Sequence, residues 1–196
     1  MEVFKNIHRH FMVFKPYGYL SQFISNASKQ QSKNFLGALY DFPEGSMSIG
    51  RLDEKSEGLL LITTDGKTSA LINSRKFDKE YYAQVDGNIT DEAIKHLKSG
   101  VNISVDSKIY KTKPCEAFKL SEAPVLPLRA KKIRDERHGP TSWVSITLNE
   151  GKFRQVRKMT SAVGFPTLRL VRVRIGNNHI EKMNAGDVIE VDAFLN

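Results

Sequence analysis

A carboxylate in a polar stretch is the first candidate for chemistry in this sequence. Asp53 lies in the segment GRLDEKSEG at residues 50–58, and a short apolar run follows directly at residues 59–62. A nucleophile or an electrostatic catalyst needs rigid support, because a fixed side chain does not have to reorganise during the reaction. The spacing alone fits a surface turn with a structural aspartate equally well, so it leaves both interpretations open.

Two neighbouring carboxylates have simpler explanations. Glu57 follows Asp53 by four residues. Glycoside hydrolases do use paired carboxylates, but their acid and base flank the sugar from separate elements. Asp65 stands in an Asp-Gly turn before a predicted helix, which favours a role as helix N-cap. Asp53 is therefore the carboxylate considered for catalysis.

Basic residues are concentrated in one segment of the chain. The protein has 30 Lys and Arg against 22 Asp and Glu, a net charge of +8. Residues 129–174 contain twelve basic and three acidic side chains, so the whole excess lies there. Such a segment neutralises phosphates in a salt-dependent way, which indicates nucleic-acid binding. A solvated face that keeps the protein soluble has the same composition.

Several classes of protein do not fit this sequence. Its 196 residues contain no apolar run near the roughly 18 residues of a membrane-spanning helix, and residues 1–10 lack the apolar core of a secretory signal. The single Cys115 cannot form an intramolecular disulfide, so we expect a cytoplasmic protein. Metal-ligand spacings and nucleotide-binding glycine motifs are both missing, so we predict neither a metal nor a cofactor.

Hydrophobic periodicity and turn residues predict many strands and few helices. Strands are predicted at residues 10–15, 58–64, 81–85, 101–105, 113–120, 126–133, 143–148, 171–175 and 187–191. Helices are predicted at residues 32–40, 67–74, 90–98 and 154–163, with Thr90 as the N-cap of the third. Because strands and helices do not alternate strictly, we expect an α+β fold with a mixed sheet.

Four segments of the sequence resemble the motifs of one enzyme family. Residues 50–66 resemble the GRLDxxSEGLLLLTxDG signature of the RsuA branch of pseudouridine synthases. In order and spacing, residues 15–18 resemble that family's KPxG motif, residues 79–81 its KxY motif and residues 150–159 its EGxxxQVRRM motif. The resemblance continues through residues 163–170 and covers almost the whole chain. It implies an enzyme that isomerises a uridine in RNA to pseudouridine.

The resemblance also implies roles for three side chains. Asp53 matches the aspartate that attacks the target uridine, either at the pyrimidine C6 or at the ribose C1′. Tyr81 matches the tyrosine that stacks on the target base, a task suited to a planar ring with a polar tip. Arg157 matches the basic residue that pairs with the aspartate and favours its charged form. Without the resemblance, Tyr81 is one more strand aromatic and Arg157 a phosphate-binding or solvated residue.

Contacts to RNA are assigned to basic side chains. Arg51, two residues before Asp53, is placed to fill the gap left by a flipped nucleotide, since a paired base must leave its stack before an enzyme can reach it. Phosphate contact is assigned as a group to Lys15, Arg154, Lys158, Arg169, Arg172 and Arg174. Taken singly, each of these six is equally consistent with surface charge.

The implied fold is the pseudouridine synthase fold, a mixed and mostly antiparallel sheet in two lobes. We expect Asp53 at the floor of a central cleft, with the basic segment along the wall. Many members carry an N-terminal S4 RNA-binding domain, but about ten residues precede the first predicted strand, so we expect one catalytic domain over residues 1–196.

The substrate is expected to be RNA, with ribosomal RNA as the first choice. Residues 21–23 and 140–143 are most similar to members that act on the large ribosomal subunit, although Phe153 stands where Asn is common. We expect no membrane or DNA partner and a monomeric protein. Two other hypotheses are a non-catalytic RNA-binding or ribosome-assembly factor and a binder of duplex DNA. The intact set of Asp53, Tyr81 and Arg157 argues against the first of them.

Overall fold

The computed structural model describes residues 8–24, 32–134 and 136–194. Its strands are β1 (His10–Lys15), β2 (Met47–Ile49), β3 (Glu57–Thr63), β4 (Lys79–Asp86), β5 (Asn102–Val105), β6 (Lys108–Lys111), β7 (Glu116–Lys119), β8 (Thr141–Leu148), β9 (Thr167–Ile175), β10 (Asn178–His179) and β11 (Val188–Val191). Its helices are α1 (Gly66–Leu71), α2 (Asp91–Ser99) and α3 (Gln155–Ala162). Single turns of other helix types occur at Leu36–Ala38, Ile72–Lys76 and Glu136–His138.

Most strands join one mixed sheet in the order β11-β1-β3-β9-β4-β8-β7. The short β2 pairs with β3 and β10 pairs with β9, while β5 and β6 form a separate hairpin. The pairing of β3 with β9 is parallel, and the other pairings between the named strands are antiparallel. The expectation of an α+β fold with a mixed, mostly antiparallel sheet is confirmed.

The β3–β9 pair joins two halves of the sheet, each with its own hydrophobic core. On the β4 and β8 side, the core includes Leu97 of α2, Ile146 of β8 and Met159 of α3. On the β1 and β3 side, alternate residues of β3 enter cores on opposite faces of the sheet, which explains its continuous apolar run.

The two halves meet at a point of very close backbone contact. Gly58 of β3 pairs with Arg172 of β9 and has a φ of +102°. A Cβ atom at Gly58 would lie 2.3 Å from the carbonyl oxygen of Arg172, so only glycine fits there. The glycine of the GRLD-containing segment therefore brings β9 alongside the segment that carries Asp53.

The helix starts agree with the sequence predictions. Thr90 caps α2, accepting a hydrogen bond from the backbone N–H of Ala93, and Asp65 caps α1 by accepting one from Lys67. None of the helices in the described ranges is long and apolar enough to cross a lipid bilayer.

Two predicted elements are wrong, and three strands were not predicted. The predicted helix at residues 32–40 is reduced to one 3₁₀ turn, and the predicted strand at residues 126–133 follows an irregular path in which Pro127 has no N–H to donate. The hairpin partner β6 was missed because its turn uses Asp106 and Ser107 at positive φ, where Asn-Gly is the usual signal. The short β2 and β10 were missed as well.

Candidate functional site

Asp53 lies in the loop between β2 and β3, at the edge of a cavity of about 700 Å³. The cavity is bounded by three parts of the chain: the loop at residues 50–56, one face of β4 and β9, and the loop at residues 149–156. A volume of this size is typical of small-ligand sites. The segment at residues 20–22 closes the side next to Asp53.

A buried serine holds the Asp53 loop in place. The hydroxyl of Ser21 accepts a hydrogen bond from the backbone N–H of Leu52 and donates one to the carbonyl of the same residue, both at 2.9 Å. The hydroxyl of Ser48 in turn donates to the Ser21 carbonyl. Because Ser21 is 6% exposed, these bonds are shielded from water. They fix the backbone immediately before Asp53.

Two guanidinium groups face the Asp53 carboxylate. Its Oδ2 atom lies 3.6 Å from Nε of Arg157 and 3.6 Å from Nη1 of Arg154. The Ser56 hydroxyl donates to the same oxygen at 3.4 Å, a long hydrogen bond. The carboxylate is therefore surrounded by positive charge while retaining weakly engaged oxygen atoms.

Arg157 is itself anchored to the loops around it. It donates to the carbonyl oxygens of Lys55 and Thr167 and to the Ser56 hydroxyl. Burial lowers the pKa of the Arg157 guanidinium from its ordinary value, Arg154 adds to that effect, and the Asp53 carboxylate opposes it. An arginine starts from so high a pKa that it stays protonated at neutral pH, so Arg157 is a permanent positive charge beside Asp53.

Tyr81 lies across the same cavity on the face of the central sheet. It occupies β4, pairs with Arg172 of β9 and with Ile146 of β8, and is partly buried. The cavity surface around Tyr81 is partly apolar, because Leu148 and Leu170 of the same sheet also line the cavity. The structure therefore brings Asp53 and Tyr81 to one cavity, with Arg157 in contact with Asp53.

The loop at residues 150–155 is shaped by a buried hydrogen-bond network. Glu150 accepts hydrogen bonds from the Tyr110 hydroxyl, the Lys113 backbone N–H and the Gln155 amide. These bonds together outweigh the effect of burial and hold the pKa of Glu150 below its usual range. Gln155 also accepts from the backbone N–H of Lys152. Glu150 and Gln155 thus support the loop from which Arg154 reaches Asp53.

Three of the basic side chains assigned to RNA are accessible at the cavity or beside it. Arg51 is exposed and lines the cavity, and the Arg154 side chain is 38% exposed. The Lys158 ammonium donates to the Ser104 carbonyl and lies 5.3 Å from the centre of the Phe153 ring. Phe153, at 69% exposure, stands at the rim of the cavity.

The other four basic side chains do not fit phosphate contact at the surface. Lys15 is fully buried, with its ammonium donating to the carbonyls of Pro16 and Tyr19. Arg169 and Arg172 are 8% and 2% exposed. Arg174 is held by Glu80 at 3.0 Å and has limited exposure. Burial argues against surface phosphate contact by Lys15, Arg169 and Arg172, and Arg174 is engaged within the protein.

The expected basic wall is also partly internal. Glu57 is 1% exposed and lies between Arg169 at 3.0 Å and Arg129 at 3.2 Å. Arg129 stacks on the ring of Tyr17, and Arg134 pairs with Asp86. Much of the charge of residues 129–174 therefore holds segments of the fold together. A carboxylate enclosed by two guanidinium groups also has no room to act as the acid or base of a glycosidase.

Sequence reasoning missed the supporting residues of the site. Ser21, Glu150 and Arg129 carry no chemical signal by themselves, because each acts on groups far away in the chain. The available signal was the presence of Ser21 in a partly apolar stretch and of Glu150 in a turn-forming one. In the described part of the chain, no cluster of three or more His, Cys, Asp or Glu side chains could hold a metal ion.

Known proteins resemble this chain over most of its length. A family model described as RNA pseudouridylate synthase matches residues 9–162. The chain is 39% identical over 171 residues to a Xanthomonas axonopodis pv. citri protein named ribosomal large subunit pseudouridine synthase E, with 86% of each chain covered. A Vibrio parahaemolyticus protein of the same name is 34% identical over 179 residues, covering 90% of this chain and 71% of that protein.

The fold has solved relatives as well. A crystal structure of a pseudouridylate synthase superimposes with a TM-score of 0.73 at 23% identity, covering 94% of this chain and 70% of the other. The Cbf5 complex with Nop10 and Gar1 contains a chain that matches with a TM-score of 0.54 at 14% identity. At these identities, the likeness concerns the fold.

Proposed function

This chain belongs to the RNA pseudouridylate synthase family, and we propose that it converts a specific uridine of large-subunit ribosomal RNA to pseudouridine with Asp53 as nucleophile. The observation that carries the catalytic assignment is the Asp53 carboxylate held 3.6 Å from the partly buried Arg157 guanidinium, in a cavity that also contains Tyr81. Large-subunit RNA as substrate rests on the names of relatives that are 34% and 39% identical.

The site suits a reaction in which a base is detached, turned and rejoined. A flipped uridine can stack on Tyr81, which offers a flat apolar surface with a polar tip. Asp53, which faces the guanidinium groups of Arg157 and Arg154, can then attack the nucleotide. The isomerisation has no net redox change, so the residues at hand can supply the chemistry without a cofactor.

RNA would approach over the rim of the cavity. Arg51 is exposed and Arg154 is partly exposed, and both line the cavity that contains Asp53. Lys158 lies next to the exposed ring of Phe153. We assign to these groups phosphate contact and the filling of the space left by the flipped nucleotide. We further propose that the protein acts in the cytoplasm as a monomer. One catalytic domain over residues 1–196 is supported by the pairing of the first strand, β1, with the last strand, β11, in the main sheet.

The test is release of tritium from uridine labelled at C5, because forming the new carbon-carbon bond expels the C5 hydrogen. Unmodified transcripts of bacterial large-subunit, small-subunit and transfer RNA are incubated with the wild-type protein, the Asp53→Asn variant and the Asp65→Asn variant. We expect release from the large-subunit transcript with the wild type and with Asp65→Asn, which keeps a helix-capping side chain. Asp53→Asn should bind the RNA and lower release by at least about a thousandfold.

Each arm of this experiment can contradict the proposal. Turnover by Asp53→Asn would remove Asp53 as nucleophile. Release from the small-subunit or transfer RNA alone would reassign the substrate. RNA binding by the wild type without release from any transcript would identify a non-catalytic RNA-binding factor.

A further inference from the structure

Arg172 is a buried arginine at the floor of the candidate active site. It lies on β9 directly opposite Tyr81 of β4, and both side chains line the cavity. The side chains of residues directly opposite each other in an antiparallel pair project from the same face of the sheet, with their Cβ atoms about 5 Å apart. At 2% exposure, Arg172 is far less accessible than the basic residues at the rim.

The guanidinium of Arg172 is incompletely satisfied by the protein. Its Nε atom donates to the Leu59 carbonyl at 2.7 Å. Its Nη2 atom is buried and has no hydrogen-bond partner, and no carboxylate of the described residues forms an ion pair with it. Burying a guanidinium whose N–H groups are not all hydrogen-bonded costs free energy. The unpartnered Nη2 atom of Arg172 therefore indicates that a ligand supplies the missing hydrogen-bond acceptor.

The surroundings of Arg172 are short of free negative charge. Glu57 is taken by Arg169 and Arg129, and Asp53 is shared between Arg157 and Arg154. The charge of Arg172 contributes to lowering the pKa of Lys15 to about 7, mainly a burial effect, and also to lowering that of Lys79. Electron-rich oxygen atoms are therefore the groups that this part of the cavity favours.

We infer that Arg172 donates hydrogen bonds to a carbonyl oxygen of the target uracil and stabilises the negative charge that reaches this oxygen during the reaction. This inference rests on the proposed function. It removes Arg172 from the phosphate-binding group and makes it a catalytic residue, because its guanidinium touches the reacting base.

The depth of Arg172 favours the base over a backbone phosphate. A flipped nucleotide enters with its base first, while its phosphates stay with the RNA strand at the rim. A base stacked on the Tyr81 ring extends its edge toward the strand neighbour of Tyr81, which is Arg172. The carbonyl oxygens O2 and O4 project from the edge of the uracil ring, and both can accept hydrogen bonds from a guanidinium.

The electron balance of the isomerisation calls for such a donor. If Asp53 attacks C1′, the electron pair of the N1–C1′ bond leaves with uracil and is delocalised onto O2 and O4. If Asp53 adds to C6, the electron pair of the C5–C6 bond moves to O4 as an enolate. In the first route C5 of the turned base then attacks C1′, and the bond between C1′ and Asp53 breaks. In the second route C5 attacks C1′ while the N1–C1′ bond breaks with its electron pair going to N1, and loss of the C5 proton then expels Asp53 from C6. In both routes the C5–C1′ bond forms, C5 loses its proton, N1 gains one and the Asp53 carboxylate is regenerated. Arg172 faces the charged oxygen in either case.

The experiment compares Arg172→Gln with Arg174→Gln as the matched control. Arg174 is two residues further along β9, and its charge is directed to Glu80. Single-turnover tritium release from the large-subunit transcript, RNA affinity at two salt concentrations and the urea midpoint are measured for both variants and the wild type. We expect Arg172→Gln to lower the single-turnover rate about a hundredfold, the usual effect of losing one oxyanion donor. RNA affinity should stay within about twofold, and the salt dependence of binding should not change.

The alternatives give different results. A phosphate contact predicts weaker RNA binding with a smaller salt dependence, and an unchanged rate means no role in the reaction; either result overturns the inference. A structural arginine predicts a lower urea midpoint, whereas loss of an unpaired buried charge should leave the midpoint unchanged or raise it. Arg172→Lys should recover part of the rate, because it restores a positive donor.

Failure of the inference and failure of the proposed function can be told apart. Turnover by the wild-type protein tests the proposed function and does not depend on Arg172. If the wild type turns over and Arg172→Gln is equally fast, only the inference fails. If the wild type is inactive on every transcript, the proposed function fails and Arg172 has no reacting base to bind.

Discussion

The Oδ2 atom of Asp53 lies 3.6 Å from Nε of Arg157 in an ion pair that lacks a hydrogen bond. The Nε–H of Arg157 is buried and unpartnered, although other nitrogen atoms of the same guanidinium bind carbonyl groups. The two side chains therefore attract each other through their charges, while the lone pairs of Oδ2 stay weakly engaged. A carboxylate tied by several strong hydrogen bonds would be a poorer nucleophile.

Arg157→Lys should separate charge from positioning. We expect the variant to keep the positive charge but lose the fork that binds the Lys55 and Thr167 carbonyls, lowering the single-turnover rate about tenfold to a hundredfold. Arg157→Gln removes the charge as well and should be slower still. The rate is measured by tritium release, with RNA affinity as the parallel readout. Equal rates for the wild type and Arg157→Gln would show that the ion pair has no part in the reaction.

Ser21→Ala should loosen the loop that carries Asp53. The change leaves the buried N–H and carbonyl of Leu52 without their hydroxyl partner, which should cost about 1–3 kcal/mol in the free energy of unfolding. Because the loop next to the nucleophile then moves, we also expect kcat to fall about tenfold.

Ser142→Ala is the matched control for the serine prediction. Ser142 is buried to a similar extent, and its hydroxyl binds the Ile89 N–H and the Gly87 carbonyl away from the cavity. It should lose comparable stability in urea denaturation and keep its kcat. A similar drop in kcat for both variants would mean that Ser21 affects turnover only through general stability.

The sequence predicted which residues meet at the cavity better than it predicted the charge distribution around them. Asp53, Tyr81 and Arg157 lie in contiguous motifs, and the strands that carry two of those motifs have strong local signals. Whether a basic side chain is available for RNA depends on whether it has an acidic partner within the fold. Arg169 and Arg174 are held by Glu57 and Glu80, which lie about a hundred residues earlier in the chain.

The fold errors have the same physical origin. The predicted strand at residues 126–133 has apolar residues in a suitable pattern, but Leu128 is exposed and the segment is fixed by Arg129 reaching Glu57. A periodicity argument sees the apolar pattern and not the tertiary ion pair. The helix predicted at residues 32–40 failed similarly, since Leu36 is anchored in a core shared with β1 and β3.

Exposed and buried arginines should differ in how they affect RNA binding. Arg51→Gln and Arg154→Gln should each weaken binding and reduce the slope of log affinity against log salt by about 0.7–0.9 per lost phosphate contact. Arg169→Gln should leave that slope unchanged and lower the urea midpoint, because it breaks the buried pair with Glu57. Fluorescence anisotropy with a large-subunit RNA fragment at several salt concentrations gives the slopes. A slope change for Arg169→Gln would restore it to the RNA-binding surface.

Lys15 should give the protein a pH-dependent stability above neutrality. Burial lowers the pKa of Lys15 to about 7, opposed by Glu57, Asp53 and Glu54 and reinforced by Arg172. In the unfolded chain the same group titrates near 10.5. Between these values the unfolded state holds the proton and the folded state does not, so stability rises with pH; below about pH 7 the full cost of burying the charge is present.

Lys15→Met should abolish this rise. We expect the difference in free energy of unfolding between wild type and variant to change with pH by up to about 1.4 kcal/mol per unit above neutrality, in favour of the wild type as pH increases. Urea denaturation at pH 6, 7, 8 and 9 measures it, with Lys67→Met in α1 as a control for the loss of one exposed charge. Because the other titrating groups are shared by wild type and variant, their contributions cancel in the difference. A difference that is flat from pH 6 to pH 9 would mean that Lys15 keeps its proton in the folded protein, balanced by the carboxylates around the cavity.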